Sequence, residues 1–276
     1  MNSRETDEVT IDETPKITII TVVFNDENNI EKTILSVISQ AYENLEYIIV
    51  DGGSTDRTLD IISKYDKLIS SFISEPDDGI YHAMNKGIDL ATGEWILFLN
   101  SSDMLFDSQV LKKINFIQPQ TVQIIYGDVE TRYSDFSSFY KAGNLDKLPY
   151  SMQFSHQSTF FKTSLHKNNK YSIEYKLASD FHFILSQYLL DPEQFLYQPI
   201  VVSSVSTGGV SDRKTYFSIV ERWKIVKSFK LDDLSVKRYY YFALLLQFTK
   251  FIFIDPKILT WYRKIKYRLF ITLSKV

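Results

Sequence analysis

Gly93-Glu94-Trp95-Ile96-Leu97-Phe98-Leu99-Asn100-Ser101-Ser102-Asp103 is the stretch on which the fold turns. Trp95 to Leu99 is a continuous apolar run, long enough for one strand and without polar alternation. A strand covered by helices on both faces reads this way, as in the interior of a parallel sheet. The run stops abruptly in small or acidic polar residues, Asn100 to Asp103. Ligands of open α/β sheets sit just beyond the carboxyl ends of the strands, so Asp103 is expected where a buried strand opens into a cleft. Two local readings stand side by side: turn chemistry or a cap for a helix starting near Ser108, and a ligand for a hard metal ion.

The same grammar repeats upstream. Lys16 to Phe24 is a β-branched run ending in Asn25-Asp26-Glu27-Asn28-Asn29, after which Ile30, Ile34, Val37 and Ile38 recur at helical spacing. Glu46 to Val50 predicts a second strand, ending in Asp51-Gly52-Gly53-Ser54-Thr55-Asp56 ahead of a helix over Thr55 to Ile62. Lys67 to Ser74 predicts a third strand, ending at Glu75-Pro76-Asp77-Asp78-Gly79, and Ile80 to Ala91 a helix that Asp78 is expected to cap. Strand, loop and helix in alternation imply βαβ units and a parallel sheet with right-handed crossovers. All these strand ends then fall on one edge, and each presents carboxylates or small polar residues. Facing carboxylates raise one another's cost of ionisation unless a cation or a donor-rich ligand is shared.

Beyond Asp103 the pattern loosens. Val110 to Phe116 predicts a helix, Gln123 to Tyr126 a strand stopping at Gly127-Asp128, and residues 129–160 an antiparallel excursion. Ser158 to Lys162 reads as a strand. Asp180 to Leu190 reads as a helix with Phe181, Ile184, Leu185, Tyr188 and Leu189 on one face, and Phe195 to Val205 as a late strand before Gly208-Gly209. A half-parallel, half-mixed sheet points to a nucleotide-binding first half and a second half that receives another substrate.

The 276 residues suit one large domain with or without an appendage, and the absence of cysteine excludes disulfides, thiolate metal sites and cysteine catalysis. Met1 to Thr14 is polar and acidic, with neither the basic start nor the apolar core of a signal peptide, so residues 1–15 read as a flexible tail. Residues 16–212 form the main unit and 213–276 a basic, aromatic helical segment. From Arg213 onward there are about fifteen Lys/Arg against about four Asp/Glu, which leaves the remainder acidic. That asymmetry favours an anionic membrane face over nucleic acid as the partner of the C-terminal segment. Tyr239 to Ile254 falls short of the ~20 residues a membrane span needs, and Trp261 to Phe270 alternates bulky apolar residues with Arg263, Lys264, Lys266 and Arg268. Helices lying on the inner face of the plasma membrane fit this pattern; a helical cap on the domain or a homodimer contact is the rival reading.

Taken together and in order, TIITVVFNDENNIEKTILSVISQ, YIIVDGGSTDRTLDII, SEPDDGIYHAMNKGIDLATGEWILFLNSSD, SHQSTFFKTSL, ASDFHFIL and GGVS resemble the inverting glycosyltransferases of family 2. The resemblance runs from roughly Lys16 to Ser211, and more narrowly it is to bacterial enzymes that build capsule, O-antigen or exopolysaccharide repeat units. It implies an α/β GT-A fold, a mostly parallel central sheet flanked by helices, with a C-terminal helical extension. It implies a nucleotide-sugar donor, expected to be a UDP-sugar, a glycan or lipid-linked acceptor, and Mn2+ or Mg2+ to neutralise the leaving diphosphate.

Residue by residue, the resemblance makes Asp103 the metal ligand, and Asp180, in Ala178-Ser179-Asp180, the base that takes the acceptor's proton. Asp51 matches the residue that reads the nucleobase, with Thr21, Val23 and Asn25 flanking the same base. Asp78 and Lys86 match the Asp-Gly-Ile-Tyr-x-Ala-Met-Asn-Lys-Gly stretch, where Lys86 is expected to reach a phosphate or to lie on a solvated helix face. Asn100, Ser101 and Ser102 line the donor, and His156 of the His156-Gln157 pair lies near the pyrophosphate or acceptor, or is structural. Gly208-Gly209 is expected to close a loop over the donor. The chain departs from the pattern at Ser102, where relatives commonly carry a carboxylate. That departure is the one feature favouring a non-catalytic nucleotide-binding or scaffold subunit of an assembly complex. A nucleotidyltransferase is disfavoured because TVVFNDENN is neither glycine-rich nor basic, and a dehydrogenase is a poorer reading still because no Gly-x-Gly-x-x-Gly follows a strand.

Overall fold

The structure is a computed structural model that describes residues 14–209 and 214–253. The expected tail up to residue 13, Val210 and Ser211 of the glycine loop, and the basic Trp261–Phe270 segment lie outside the described residues.

The first half is built as its periodicity requires. Strand β1 (Ile17–Val23) pairs in parallel with β2 (Leu45–Asp51) on one side and β4 (Trp95–Phe98) on the other, and β3 (Ser71–Ser74) extends the parallel sheet beyond β2. Helices α1 (Ile30–Ile38), α2 (Thr58–Ser63) and α3 (Ile80–Leu90) make the crossovers. Successive residues of these strands enter opposite cores, as the two-residue strand period demands. Ile20, Val22, Ile48, Val50, Ile96 and Phe98 face α3 on one side of the sheet. Ile17, Ile19, Tyr47, Ile49, Trp95 and Leu97 face α1 and α2 on the other. Both faces are covered, which is why Trp95 to Leu99 shows no alternation. Gly87 lets α3 lie close on the sheet: a Cβ there would come within 2.5 Å of Ile20 Cγ2.

The second half turns antiparallel. After β5 (Met104–Leu105) and α4 (Val110–Lys113) come β6 (Ile124–Arg132), β7 (Ser137–Tyr140) and β8 (Thr159–Lys162), then α5 (Thr163–Asn168), α6 (Ser179–Leu190) and β9 (Phe195–Ser206). The sheet order is β3-β2-β1-β4-β8-β6-β9-β5, with β7 paired to β6. β8 runs antiparallel between β4 and β6, so the sheet is mixed beyond β4. The strand expected to stop at Gly127-Asp128 continues to Arg132. Gly127 permits this, because a Cβ there would meet Ile200 O at 2.5 Å, and the pairing with β9 resumes after an irregular register at Asp128. Other boundaries are shorter than expected: α4 ends at Lys113, where Ile114 turns extended, and β3 begins only at Ser71 because Asp66–Leu68 form a 3-10 turn. Leu189, expected on the buried face of α6, is exposed.

Helices α7 (Thr215–Ser228) and α8 (Leu234–Phe253) fold back onto the α6 side of the sheet. Ile219, Ile225 and Val226 of α7 and Val236 and Tyr240 of α8 join the same core as Phe181 and Ile184. Trp223 stacks on Tyr240 at 6.0 Å between ring centroids. Glu221 of α7 accepts the backbone N–H groups of Lys176 and Leu177 at 3.2 and 2.8 Å, fixing the segment that enters α6. The opposite face of α8 leaves Tyr241, Phe242, Leu245 and Leu246 exposed. Among the described residues no helix is long and apolar enough to cross a membrane.

Candidate active site

The parallel strands end on one edge, and the residues there hold each other. Ser101 and Ser102, just past β4, both donate their hydroxyls to Asp26 Oδ2, at 2.6 and 2.7 Å, so the loop after β1 and the loop after β4 share one carboxylate. Ser102 adopts a φ of +79°, which turns the chain sharply before Asp103. Arg132, at the far end of β6, donates to Ser102 O at 2.7 Å and to Ser206 Oγ at 2.8 Å. A cation thus lies against this acidic loop. Asp26 reads in the sequence as an acidic strand end without a role, and Arg132 does not stand out, because nothing local marks residues 26, 102 and 132 as neighbours.

Asp103 is 5% exposed. Its Oδ1 accepts Ser206 N–H at 2.9 Å and its Oδ2 accepts Gln157 Nε2 at 3.1 Å. Burial pushes its carboxyl up to about 6, against the pull of the Ser206 and Gln157 donors and of the charges on His156 and Arg132. The oxygen of Asn100, Oδ1, is buried without a hydrogen-bond partner, while Asn100 Nδ2 lies 3.5 Å from His156 Nε2. Carboxylate, hydroxyl and amide oxygens are the donors a hard divalent cation takes. Among the described residues no three His, Cys, Asp or Glu side chains converge. The donor set therefore fits an ion held by one or two carboxylates and completed by diphosphate oxygens, not a closed protein cage.

The turn after β2, where the sequence leads us to expect the nucleobase contact, is tightly built. Asp51 is fully buried, and its carboxylate accepts Gly53 N, Ser54 N, Ser54 Oγ and Ser74 Oγ between 2.5 and 3.0 Å. It closes the turn after β2 and ties that turn to β3; Asp56 Oδ1 accepts Thr58 N at 3.0 Å just ahead of α2, whose N-cap residue Arg57 makes no side-chain cap bond. Asn25 joins the turn by accepting Thr55 N at 2.8 Å. Thr21 and Val23 point their side chains into the core, Thr21 accepting from Tyr47 Oη at 3.1 Å. Phe24 is the exposed residue beside Gly52 and Asp77.

Asp78 does not cap α3. The N-cap is Gly79, at a φ of +118° that a side chain disfavours, and it is Asp77 Oδ1 that accepts Gly79 N–H at 2.9 Å. Asp78 leaves its carboxylate in solvent. Lys86 lies on no solvated face: its ammonium pairs with Glu75 at 2.9 Å and donates to Pro76 O at 3.1 Å, clamping the loop before α3.

Asp180 enters in the first turn of α6, which Phe181, Ile184 and Leu185 anchor in the core. Its side chain is 15% exposed. Oδ1 accepts Tyr81 Oη at 2.8 Å and Oδ2 lies 3.1 Å from His156 Nδ1. Burial alone would raise its carboxyl, but the hydrogen bond and charge of His156, with the Tyr81 hydroxyl, outweigh it and hold the group below the ordinary carboxylate range. His156 thus bridges Asp180 to Asn100 and the end of β4. Tyr81 lies within the quoted Asp-Gly-Ile-Tyr stretch, but only the tertiary fold brings its hydroxyl to Asp180.

Comparison with known proteins bears on the family and the fold. A PGL/p-HBAD biosynthesis glycosyltransferase of Mycobacterium bovis is 31% identical over 205 residues, covering 72% of this chain and 80% of that protein. Among solved structures, the mannosyltransferase PcManGT from Pyrobaculum calidifontis, in complex with GDP-Man and Mn2+, superposes with a TM-score of 0.65 at 17% identity, covering 96% of this chain and 85% of that one. TarS 1-349 of S. aureus, in complex with UDP-GlcNAc, gives 0.62 at 19% identity over 88% of this chain and 77% of that one. At those identities the structures establish the GT-A fold alone. Glycosyl transferase family 2 matches residues 18–182. The chain belongs to glycosyl transferase family 2 and is a glycosyltransferase.

Proposed function

We infer that this glycosyltransferase moves a sugar, with inversion, from a nucleoside-diphosphate donor to a hydroxyl of a glycan or lipid-linked oligosaccharide in cell-surface polysaccharide synthesis. The observation that carries this reading is the position of Asp180: a half-buried carboxylate, held below the ordinary carboxylate range and joined through His156 to the loop that ends β4. UDP is the favoured nucleotide, since the Staphylococcus relative with this fold was solved with UDP-GlcNAc; the Pyrobaculum relative, solved with GDP-Man, makes GDP the competitor to test.

In this reading the acceptor hydroxyl attacks the anomeric carbon from the face opposite the diphosphate, and Asp180 takes its proton. Asp103 and Asp26, on either side of Ser102, are the carboxylates that would hold Mn2+ or Mg2+. Such an ion supplies charge neutralisation for the departing diphosphate. Asn100, Ser101 and Ser102 contribute polar contacts along the donor, and the Asp51 turn with Asn25 and the backbone of Thr21 to Phe24 shapes the base site. Asp26 weighs against a non-catalytic subunit, because it places a carboxylate at the hydroxyl of Ser102. The exposed apolar row of α8, together with Lys237 and Arg238, supports peripheral attachment to an anionic membrane, where a lipid-linked acceptor is met.

Thermal unfolding with UDP, GDP, dTDP and CMP, each with and without Mn2+, tests the reading. A ligand at ~100 times its dissociation constant adds about 2.7 kcal/mol, which shifts the midpoint by several degrees. A shift with one nucleoside diphosphate, enlarged by Mn2+, is expected. No shift with any nucleotide would return the non-catalytic reading.

A further inference from the structure

Both oxygens of Asp180 are engaged, each by a different element. Tyr81 reaches Oδ1 from α3, and His156 reaches Oδ2 from the 3-10 turn His156–Ser158 before β8. Tyr81 is buried, with its ring against Tyr171 at 5.4 Å between centroids. Gln157, next to His156, is anchored on Asp103. The imidazole is therefore held at three points: by Asp180 at Nδ1, beside Asn100 at Nε2, and through the chain at its neighbour.

We propose that Tyr81 and His156 are positioning residues of the catalytic base: they fix both oxygens of Asp180, so that His156 serves proton transfer and not donor binding. This rests on the reading of Asp180 as the base. A carboxylate on the first turn of a helix can rotate about both side-chain bonds. Donors from separate elements, one on each oxygen, remove both rotations. Each oxygen keeps a lone pair for the acceptor hydroxyl. In the reaction the acceptor O–H bond breaks as its oxygen bonds to the anomeric carbon. The proton goes to Asp180, and the electron pair of the breaking sugar–phosphate bond leaves with the nucleoside diphosphate.

The two phenols facing the pair do not compete for that proton. Burial first, and the charge of Asp180 second, push the phenols of Tyr81 and Tyr171 well above their ordinary value, so both stay neutral. The charge of His156 also acts on Asp103, whose carboxylate accepts from Gln157 and Ser206.

The test uses the full chain and UDP release from UDP-glucose, UDP-galactose or UDP-GlcNAc with water as acceptor, followed across pH. His156→Ala is expected to lower kcat about 10- to 100-fold, leave the donor KM within about twofold, and move the acid limb of kcat/KM to higher pH. Tyr81→Phe shifts the same quantities in the same direction by less, and both variants keep the midpoint shift with UDP. Carbon-13 NMR of the Asp180 carboxyl gives a readout independent of turnover, and its titration is expected to move to higher pH in both variants. A His156→Ala enzyme with a raised donor KM and an unmoved acid limb, or an unmoved Asp180 titration, overturns the proposal. Asp180→Asn separates the two readings. If that variant keeps its kcat, Asp180 is not the base, and the NMR titration still reports whether His156 and Tyr81 hold it.

Discussion

Gln157 donates to Asp103 at 3.1 Å, and Ser206 N–H donates to the other oxygen of the same carboxylate at 2.9 Å. One side chain thus joins the end of β4, the turn that carries His156 and the end of β9. The carboxyl is raised to about 6 by burial, so between about pH 4 and 6 the folded chain binds the proton that the unfolded chain releases. Stability contributed by this group falls as pH rises through that window.

Asp103→Asn is expected to remove that dependence. In the ligand-free protein the drop between pH 4 and 6, at most about 3 kcal/mol for a shift of this size, flattens in urea titrations. The Mn2+-dependent part of the nucleotide midpoint shift disappears with it. A variant that keeps the full Mn2+ effect would remove Asp103 from the metal site.

His166 behaves in the opposite sense. It is fully buried between Phe98, Phe161 and Phe183, with both ring nitrogens lacking a hydrogen-bond partner. Burial holds its pKa down to about 3, so it folds neutral. The unfolded chain takes up a proton below about 6.5, and stability is lost from there down to about pH 3. His166→Leu is expected to lie within about 1.5 kcal/mol of the parent at pH 7 and to become the more stable protein as pH falls. Denaturant midpoints at pH 7, 5 and 4 check the crossing.

Glu221 carries the link between the C-terminal helices and the site. Glu221→Ala leaves the N–H groups of Lys176 and Leu177 without their acceptor, costing about 1–2 kcal/mol, and frees the segment that leads to Asp180. UDP release is expected to slow while the UDP-induced midpoint shift stays, because the donor end of the cleft is untouched.

Replacing Tyr241, Phe242, Leu245 and Leu246 together with Ser removes an exposed apolar row. Each exposed substitution costs about 0.5 kcal/mol or less, at most about 2 kcal/mol together, and Tyr241 also gives up its edge contact with Trp223, so both proteins are compared at a temperature where they stay folded. Sedimentation with vesicles rich in phosphatidylglycerol is expected to fall several-fold. Unchanged sedimentation would turn the row from a membrane face to a contact between copies.

Local pattern was enough for the parallel half. The β-branched and apolar runs at Ile17–Val23, Leu45–Asp51 and Trp95–Leu99 could be read as buried strands because burial on both faces demands uninterrupted apolar residues. The helices at Ile30 and Ile80 followed from their spacing, and the strand ends marked one polar edge. The continuation of β6 through Gly127 escaped notice, since a glycine reads as a stop until the backbone of Ile200 is seen against it.

Fold class, polar edge and the candidates Asp103 and Asp180 were legible along the chain, since each of these depends on residues close in sequence or on motifs in a fixed order. Only the tertiary structure decided which groups meet. It set Asp26 against Ser102, Arg132 beside Asp103, and Tyr81 and His156 on the two oxygens of Asp180. It also turned Asp51 inward and tied Lys86 to Glu75. The physical reason is sequence separation. Hydrogen bonds between residues tens of positions apart leave no periodicity or local composition to read, and they exist only once the sheet has brought its loops to the same edge.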